Sequence, residues 1–368
     1  MGVVAPERPR IAAIVDHALR PESAADAAEA AEIARRLGAE AVVLKIDWPR
    51  GERRSQEAAR IARHAVLSRF ARERAACMLY LGHTRDDQAE TVLMRRLAGS
   101  RDLGLAGMAP ISPSPVWPEG RDLWLARPML AVARDTLRVH LRGEGVRWIE
   151  DPSNEALRFA RVRARRELRE SAETNQLVEQ AHVSTMLAIR AHGAARLAAA
   201  QYVQHQAGMA IVDARLIDHE GGPMALAALA VAVGARTRDI PEAAGAGLLR
   251  RLGRDGHTAL GGAVFVRKGS QILVSRDPGG VHGRRGGGRP HPSLPLRPGE
   301  PAVWDKRLEL TATTAGWTAA LDPVGRATAP VFLREGRPAD PGDAISARWL
   351  VKARVSRLLW RGNPPPFR

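Results

Sequence analysis

His83, Asp86, Asp87 and Glu90 fall within one short stretch, GHTRDDQAETVLMRRL, directly after an apolar run that ends at Gly82. Three carboxylates and a histidine at the start of a helical pattern point to a ligand-binding helix end, because ionisable groups gathered in a cleft are where acids and bases are tuned. At about 100° per residue, His83, Asp87, Glu90 and Met94 share one face, and Ala89, Val92, Leu93 and Leu97 sit about a quarter turn or more away. The apolar set is expected to anchor the helix to a sheet, leaving the acidic face open. The plainer reading is an N-cap favoured by the helix dipole, but a cap needs one carboxylate and this turn has three.

A strand must deliver such a helix, and residues 78–81 read as that strand, preceded by a helix over about 56–74. Upstream, residues 11–15 form a strand, 24–37 a helix closed by Gly38, and 41–46 a second strand. Strands alternating with helices predict an α/β fold, a doubly wound parallel sheet whose ligands sit beyond the C-terminal ends of the strands. Both polar clusters, at 16–23 and 83–90, follow strands directly. Further on come a strand at 123–126, a helix over 133–143, a turn at Glu150-Asp151-Pro152-Ser153-Asn154 and a basic run with Arg161, Arg163, Arg165 and Arg166. A long Ala-rich helix over about 176–204, a buried helix at 224–233 and a hairpin around Lys268-Gly269 complete the pattern. The expected division is an α/β domain over 1–170, a helical linker and binding region over 171–278, a flexible basic linker over 279–292 and a small basic α+β module over 293–368.

At 368 residues the chain is long enough for two or three domains. Its one cysteine, Cys77, rules out an internal disulfide and a Cys-based metal site, which fits a reducing cytoplasm. The longest apolar run is well below the roughly 18 residues of a membrane span, and no signal-like segment opens the chain, so a soluble protein with no membrane partner is expected. The net charge is +16, with 52 Arg against four Lys. Codon bias in a GC-rich genome exchanges Lys for Arg without creating charge, so the excess itself points to a polyanion, nucleic acid above all. Arg161 and Arg163, together with Arg354, Arg357 and Arg361 on one C-terminal helical face, are the candidate phosphate contacts. A solvated helix face is the plainer alternative for each set.

Three separated motifs occur in order: VDHALRPES, then HTRDDQAETVLMRRL with GLAGM, then EDPSNEALRFARVRAR. In these the chain resembles the tRNA(Ile)-lysidine synthetases of the PP-loop ATP-pyrophosphatase superfamily. The resemblance covers roughly residues 10–170 well, and the hairpin at 260–262 and WDKRLEL more loosely. It implies a cytoplasmic ligase with a PP-loop fold that uses ATP and Mg²⁺ to adenylate C2 of the wobble cytidine in a CAU-anticodon isoleucine tRNA. L-Lysine then displaces AMP to give lysidine. It carries catalytic roles to His83, Asp87, Glu90 and Arg165. Lysine's cationic amines call for carboxylates such as Asp87 and Glu90, and the attacking amine must lose a proton to His83 or to one of them. Arg165 would counter developing phosphate charge. His17 and Arg20 would line the nucleotide pocket, and Gly107 would let backbone approach the nucleotide. A core or surface histidine and a plain turn glycine stay open as alternatives. A homodimer stays open alongside a monomer.

One departure stands out. The family's first strand ends in a Ser-Gly-Gly-x-Asp-Ser loop that cradles pyrophosphate and helps hold Mg²⁺, whereas only MGVVAPERP stands before Arg10. The expectation is an N-terminally incomplete PP-loop domain with no Mg²⁺ ligand identifiable, its remaining strands either closing together or leaving an open slot. Low stability and loss of the family's ATP geometry would follow. Two other readings compete with the ligase: a non-catalytic tRNA-binding protein that has lost its ATP site, and a PP-loop tRNA thiolase. The lone Cys77 excludes thiolases with paired Cys motifs, and DDQAET with DPSN favours lysidine formation.

Overall fold

A computed structural model describes residues 10–48, 55–100, 102–149, 160–237, 239–283, 290–322 and 327–361. They fall into two compact units divided between Ala188 and Ile189.

The first unit alternates strands and helices as expected: β1 (Ile11–Asp16), α1 (Ser23–Arg36), β2 (Glu40–Lys45), α2 (Gln56–Glu73), β3 (Met78–Tyr80), α3 (Arg85–Leu97), β4 (Ile111–Pro113), β5 (Trp124–Ala126), α4 (Arg134–Gly143), α5 (Ala160–Ser171) and the start of α6 (Thr174–Tyr202). β1 pairs parallel with β2, from Ile11 opposite Glu40 to Asp16 opposite Lys45. β3 pairs parallel with β5, and β4 adds to β5 antiparallel. The two sections share no ladder, so the expected single sheet is present in two parts among the described residues. β1 and β3 each keep an edge outside any ladder there, and Ile11 and Tyr80 on these strands are exposed. Among the described residues β1 and β3 do not pair with each other. The turn at 150–154 lies outside the described residues.

α3 corrects a second expectation. Its Ala89, Val92 and Leu93 are buried against Ala164 and Leu168 of α5 and Leu177 and Ala181 of α6, with Leu105 beside them. Helices, rather than a sheet, anchor its apolar face. Small alanines at 164 and 181 let the helices approach closely enough to bury the larger side chains between them.

The second unit is built on α7 (Gly222–Val233), which is apolar all round and buried along most of its length. That helix packs against a five-stranded antiparallel sheet in the order β6 (Val203–Gln206), β7 (Met209–Asp213), β10 (Gln271–Arg276), β9 (Ala263–Lys268), β8 (His257–Leu260). α8 (Glu242–Asp255) covers α7 and β8. The 279–292 stretch opens with the short helix α9 (Gly279–His282), whose Val281 is buried, and residues 284–289 lie outside the described set. Beyond it, β11 (Leu294–Pro295), β14 (Trp317–Ala320), β15 (Val331–Arg334) and β16 (Arg337–Pro338) form one small sheet. β12 (Ala302–Trp304), β13 (Leu308–Ala312) and β17 (Ile345–Trp349) form another, and both pack around Trp304, Leu308, Leu310 and Trp317. Asp305 ties this module to β10, accepting Arg276 at 3.0 Å and Arg307 at 2.7 Å in a buried triad. The last helix, α10 (Val351–Leu358), returns to the α7 core through Val351 and Val355. No helix among the described residues is long and apolar enough to cross a membrane.

Candidate active site

Helix α3 begins at Thr84, whose hydroxyl accepts the Asp87 N–H at 3.4 Å while Asp87 Oδ2 accepts the Thr84 N–H at 2.8 Å. This reciprocal cap uses one Asp87 oxygen. The other faces the interior, where Oδ1 accepts Arg134 at 3.0 Å and Arg161 at 2.9 Å. Glu90, one turn on and 1% exposed, accepts Arg165 at 2.7 Å and Arg134 at 3.2 Å through Oε1, and Arg161 at 2.8 Å through Oε2. Asp86 caps the next helix instead, accepting the Arg134 N–H at 2.8 Å. The acidic face is therefore both a cap and a charge cluster: two carboxylates bound by three guanidinium groups, one net positive charge.

Burial pushes the Asp87 carboxyl up, and the Thr84 hydrogen bonds with the charges of Arg134 and Arg161 overcome this and hold it below the usual range. For Arg134, burial works against the charged form, and Asp87 and Glu90 outweigh it and raise its pKa. The spacing along α5 explains which arginines turn inward. Arg161 and Arg165, four residues apart, meet Glu90 from one helix face, while Arg163 lies on the opposite, exposed face. Arg161, expected on RNA, is thus part of the cluster.

His83 precedes the cap and so does not share the helix face with Asp87 as the 3.6 period suggested. Its ring is half-buried with Nδ1 unpartnered, and burial, with Arg127 nearby, pushes its pKa down to about 4 against the pull of Asp87. It is neutral at pH 7. Around it lies a basic wall that the sequence reading missed. Arg60, Arg63 and His64 come from α2, and Arg127 follows β5. Burial lowers the pKa of Arg60 and of Arg63, and the Arg63 Nε is buried without a partner. His64 is 2% exposed and held to about 3 by burial and by Arg63. Arg60 is exposed and Arg63 half-buried, and guanidinium groups without a carboxylate partner fit an anion. The available signal was Arg60 and Arg63 at helical spacing, in a helix leading to the strand before His83.

The remaining candidates sit elsewhere. Arg20 pairs with Asp26, and the His17 carbonyl accepts Trp48 Nε1 at 2.8 Å. Asp16, at the end of β1, organises that loop by accepting Ala18 N–H and Ser23 Oγ at 2.9 and 2.7 Å, and these bonds lower its pKa. Gly107 is buried at φ +58°, and a Cβ there would lie 2.7 Å from the Gln88 amide. The close approach that requires glycine is to Gln88, which hydrogen-bonds both ways with Met108. Arg354 is 3% exposed and donates to the Arg236 carbonyl, with Asp239 close by, so it stands in the core and cannot serve as a surface contact. Arg361 lies beyond the end of α10, near His192, and does not share a helical face with Arg354. Among the described residues no group of three His, Cys, Asp or Glu has metal-holding geometry.

A family profile described as a PP-loop domain matches residues 6–172. A tRNA(Ile)-lysidine synthase from Hyphomonas neptunium is 48% identical over 152 residues, which is 41% of this chain and 41% of that protein. The match to the Caulobacter vibrioides enzyme of the same name likewise spans only 38% of its length. Two longer alignments exist, to the tRNA(Ile)-lysidine synthases of Rhizobium meliloti (32% identity, 89% of this chain, 72% of the relative) and Brucella ovis (31%, 97% and 78%). Among solved structures, a U34-tRNA thiolase from Methanococcus maripaludis superposes with TM-score 0.40 at 15% identity, over 49% of this chain and 64% of that one. With a PP-loop domain at one end and relatives aligned along most of its length, the chain belongs to the tRNA(Ile)-lysidine synthase family.

Proposed function

We propose that this chain ligates L-lysine to C2 of the wobble cytidine of a CAU-anticodon tRNA(Ile), at the expense of ATP, through an adenylated cytidine, and that it works in the cytoplasm. The observation that carries the reading is the cluster at the start of α3, where Asp87 and Glu90 stand among Arg134, Arg161 and Arg165, with neutral His83 beside them. The basic wall of Arg60, Arg63 and Arg127 suits the phosphates of ATP. The carboxylates suit the ammonium groups of lysine.

Charge balance links the two steps. In the first, the cytidine O2 attacks the α-phosphorus, an O–P bond forms and pyrophosphate leaves, with guanidinium groups neutralising the charge that builds on the phosphate oxygens. Guanidinium groups that turn towards an arriving phosphate release Asp87 and Glu90 for a cation. In the second, a lysine amine attacks C2, the C2–O bond breaks and AMP departs. The amine proton goes to a group beside it, the neutral His83 ring or a freed carboxylate of Asp87 or Glu90. Mg²⁺ accompanies ATP in the family resemblance, but both carboxylates here are held by arginines and the described residues offer no metal cluster, so no step runs through it.

The test is lysine incorporation into purified CAU-anticodon tRNA(Ile), with release of AMP and pyrophosphate. Asp87→Asn and Glu90→Gln should each cut the rate at least about a hundredfold while tRNA affinity stays within about threefold, the signature of an interaction made after RNA binding. Unchanged incorporation in both variants removes the lysine assignment. RNA binding by the wild-type chain without turnover leaves the non-catalytic reading.

A further inference from the structure

Asp87 and Glu90 have no carboxylate oxygen left open. Asp87 Oδ2 accepts the Thr84 N–H and hydroxyl at 2.8 and 2.7 Å, and Oδ1 accepts Arg134 and Arg161 at 3.0 and 2.9 Å. Glu90 Oε1 accepts Arg165 and Arg134 at 2.7 and 3.2 Å, and Oε2 accepts Arg161 at 2.8 Å. A substrate ammonium therefore reaches this pair only by displacing a guanidinium. The three arginines are held differently. Arg161 and Arg165 project from α5, which Ala164 and Leu168 fix in the core. Arg161 spans the two carboxylates with two nitrogens, Nε on Glu90 and Nη2 on Asp87. Arg134 comes from α4, which buries no residue, and it bridges the same carboxylates with one nitrogen. Its Nη2 donates to Asp87 Oδ1 and Glu90 Oε1, the two longest of the five guanidinium bonds in the cluster. A single nitrogen shared between two carboxylates is the contact an ammonium group makes. The Arg134 backbone N–H is held separately by Asp86 at 2.8 Å, so the guanidinium can swing out while the start of the helix stays in place.

We propose that Arg134 Nη2 marks the position an ammonium group of the substrate lysine takes, and that Arg134 is a positioning residue that holds Asp87 and Glu90 together until lysine exchanges for it. The inference rests on the proposed lysine ligation and adds how the amine enters the site. Charge favours an exchange over a simple addition. With Arg134 in place, the cluster is two carboxylates and three guanidinium groups. With an ammonium in its place the sum is the same, so no uncompensated charge enters a site where Glu90 is 1% exposed. Between the two states Arg134 keeps the carboxylates from facing each other unpaired. The cost is affinity: lysine binds the chain more weakly than it binds the open pair, by the fraction of molecules in which Arg134 has swung out.

The experiment is calorimetry of L-lysine binding to the full chain, without ATP or tRNA, for wild type, Arg134→Gln, Arg134→Met, Arg134→Lys and Arg165→Gln. Both neutral replacements at 134 should bind lysine at least about tenfold more tightly than wild type, because the position then stands open. A misfolded variant can only lose binding, so a gain is not a folding artefact. Arg134→Lys keeps a cation there and should stay within about threefold of wild type. Arg165→Gln should also stay within about threefold, since Arg134 still fills the position and swapping one cation for another is insensitive to a charge removed beside it. Tightening of equal size in Arg165→Gln reduces the effect to net charge and overturns the exchange. Unchanged or weaker lysine binding in both neutral variants overturns it as well, as does a gain in Arg134→Lys equal to theirs. If Asp87→Asn and Glu90→Gln leave lysine incorporation into tRNA unchanged, the lysine assignment falls and takes this role of Arg134 with it. If those carboxylates are needed and the neutral variants gain no affinity, only the exchange falls.

Discussion

Glu90 concentrates the chemistry of the site because it is the most buried charge there and the one all three arginines share. Removing its charge leaves Arg134, Arg161 and Arg165 facing one another. Breaking one side of a buried pair costs about 3 to 5 kcal/mol, and because the arginines are partly exposed, Glu90→Gln should fall at the lower end, about 3 kcal/mol in urea unfolding of the first unit. Asp87→Asn weakens a cap as well as the cluster and should lose about 1 to 2 kcal/mol. A larger loss at Asp87 than at Glu90 would reverse the ranking. Both carboxylates were legible in the sequence because their spacing is local. Their partners were not: Arg134, Arg161 and Arg165 lie 44, 71 and 75 positions from Glu90, and helical periodicity says nothing about contacts at that range.

Elements were read well where one periodicity dominated and poorly where two surfaces competed for the same face. The alternation that placed β1, α1, β2, α2, β3 and α3 held, since a run of apolar residues bounded by turn signals suffices to mark a strand. What the apolar face of α3 packs against depended on α5 and α6, whose alanines carry little signal by themselves. The same applies to Gly107, where sequence shows a glycine and structure shows why, a left-handed φ against the Gln88 amide. Gly107→Ala should therefore destabilise the first unit by about 1 to 3 kcal/mol, from backbone strain and overpacking together. Thermal unfolding checks this, and pairing the change with Gln88→Ala should recover the overpacking part and not the strain. A neutral Gly107→Ala would leave the glycine without a packing role. Arg354→Met tests the C-terminal element in the same way: burial makes it a core residue, so the change should alter stability and leave the salt slope of tRNA binding as in wild type.

At the scale of the molecule, the α/β character of the first unit and the basic charge were open to sequence reading, whereas the ionisation state was not. Four histidines, His64 and His83 in the first unit and His192 and His205 in the second, are held below their ordinary pKa of 6.5 by burial first of all. The folded chain refuses protons that the unfolded chain accepts, so between pH 6.5 and the folded values the unfolded state binds more protons and stability falls as pH falls. With His64 at about 3 and His192 at about 4, each contributes a loss of about 2 kcal/mol on going from pH 7.5 to pH 5; His83, more exposed, contributes less. The carboxylates act in a different window. Asp16 and Asp87 are held below 3.8, so the stability they provide is present above that value and is lost only as pH falls through their folded pKa. Acid sensitivity between pH 6.5 and 4.5 therefore belongs to the histidines. Urea midpoints at pH 7.5 and pH 5 should show a marked loss, and because the two units need not unfold together, each should be followed by its own probe. His64→Leu removes one titrating group from the first unit, and the pH dependence of that unit's transition should flatten by about 1.4 kcal/mol per pH unit while the second unit's stays as in wild type. An unchanged slope in the first unit would mean that His64 is protonated in the fold, and that the basic wall around it already holds a compensating anion.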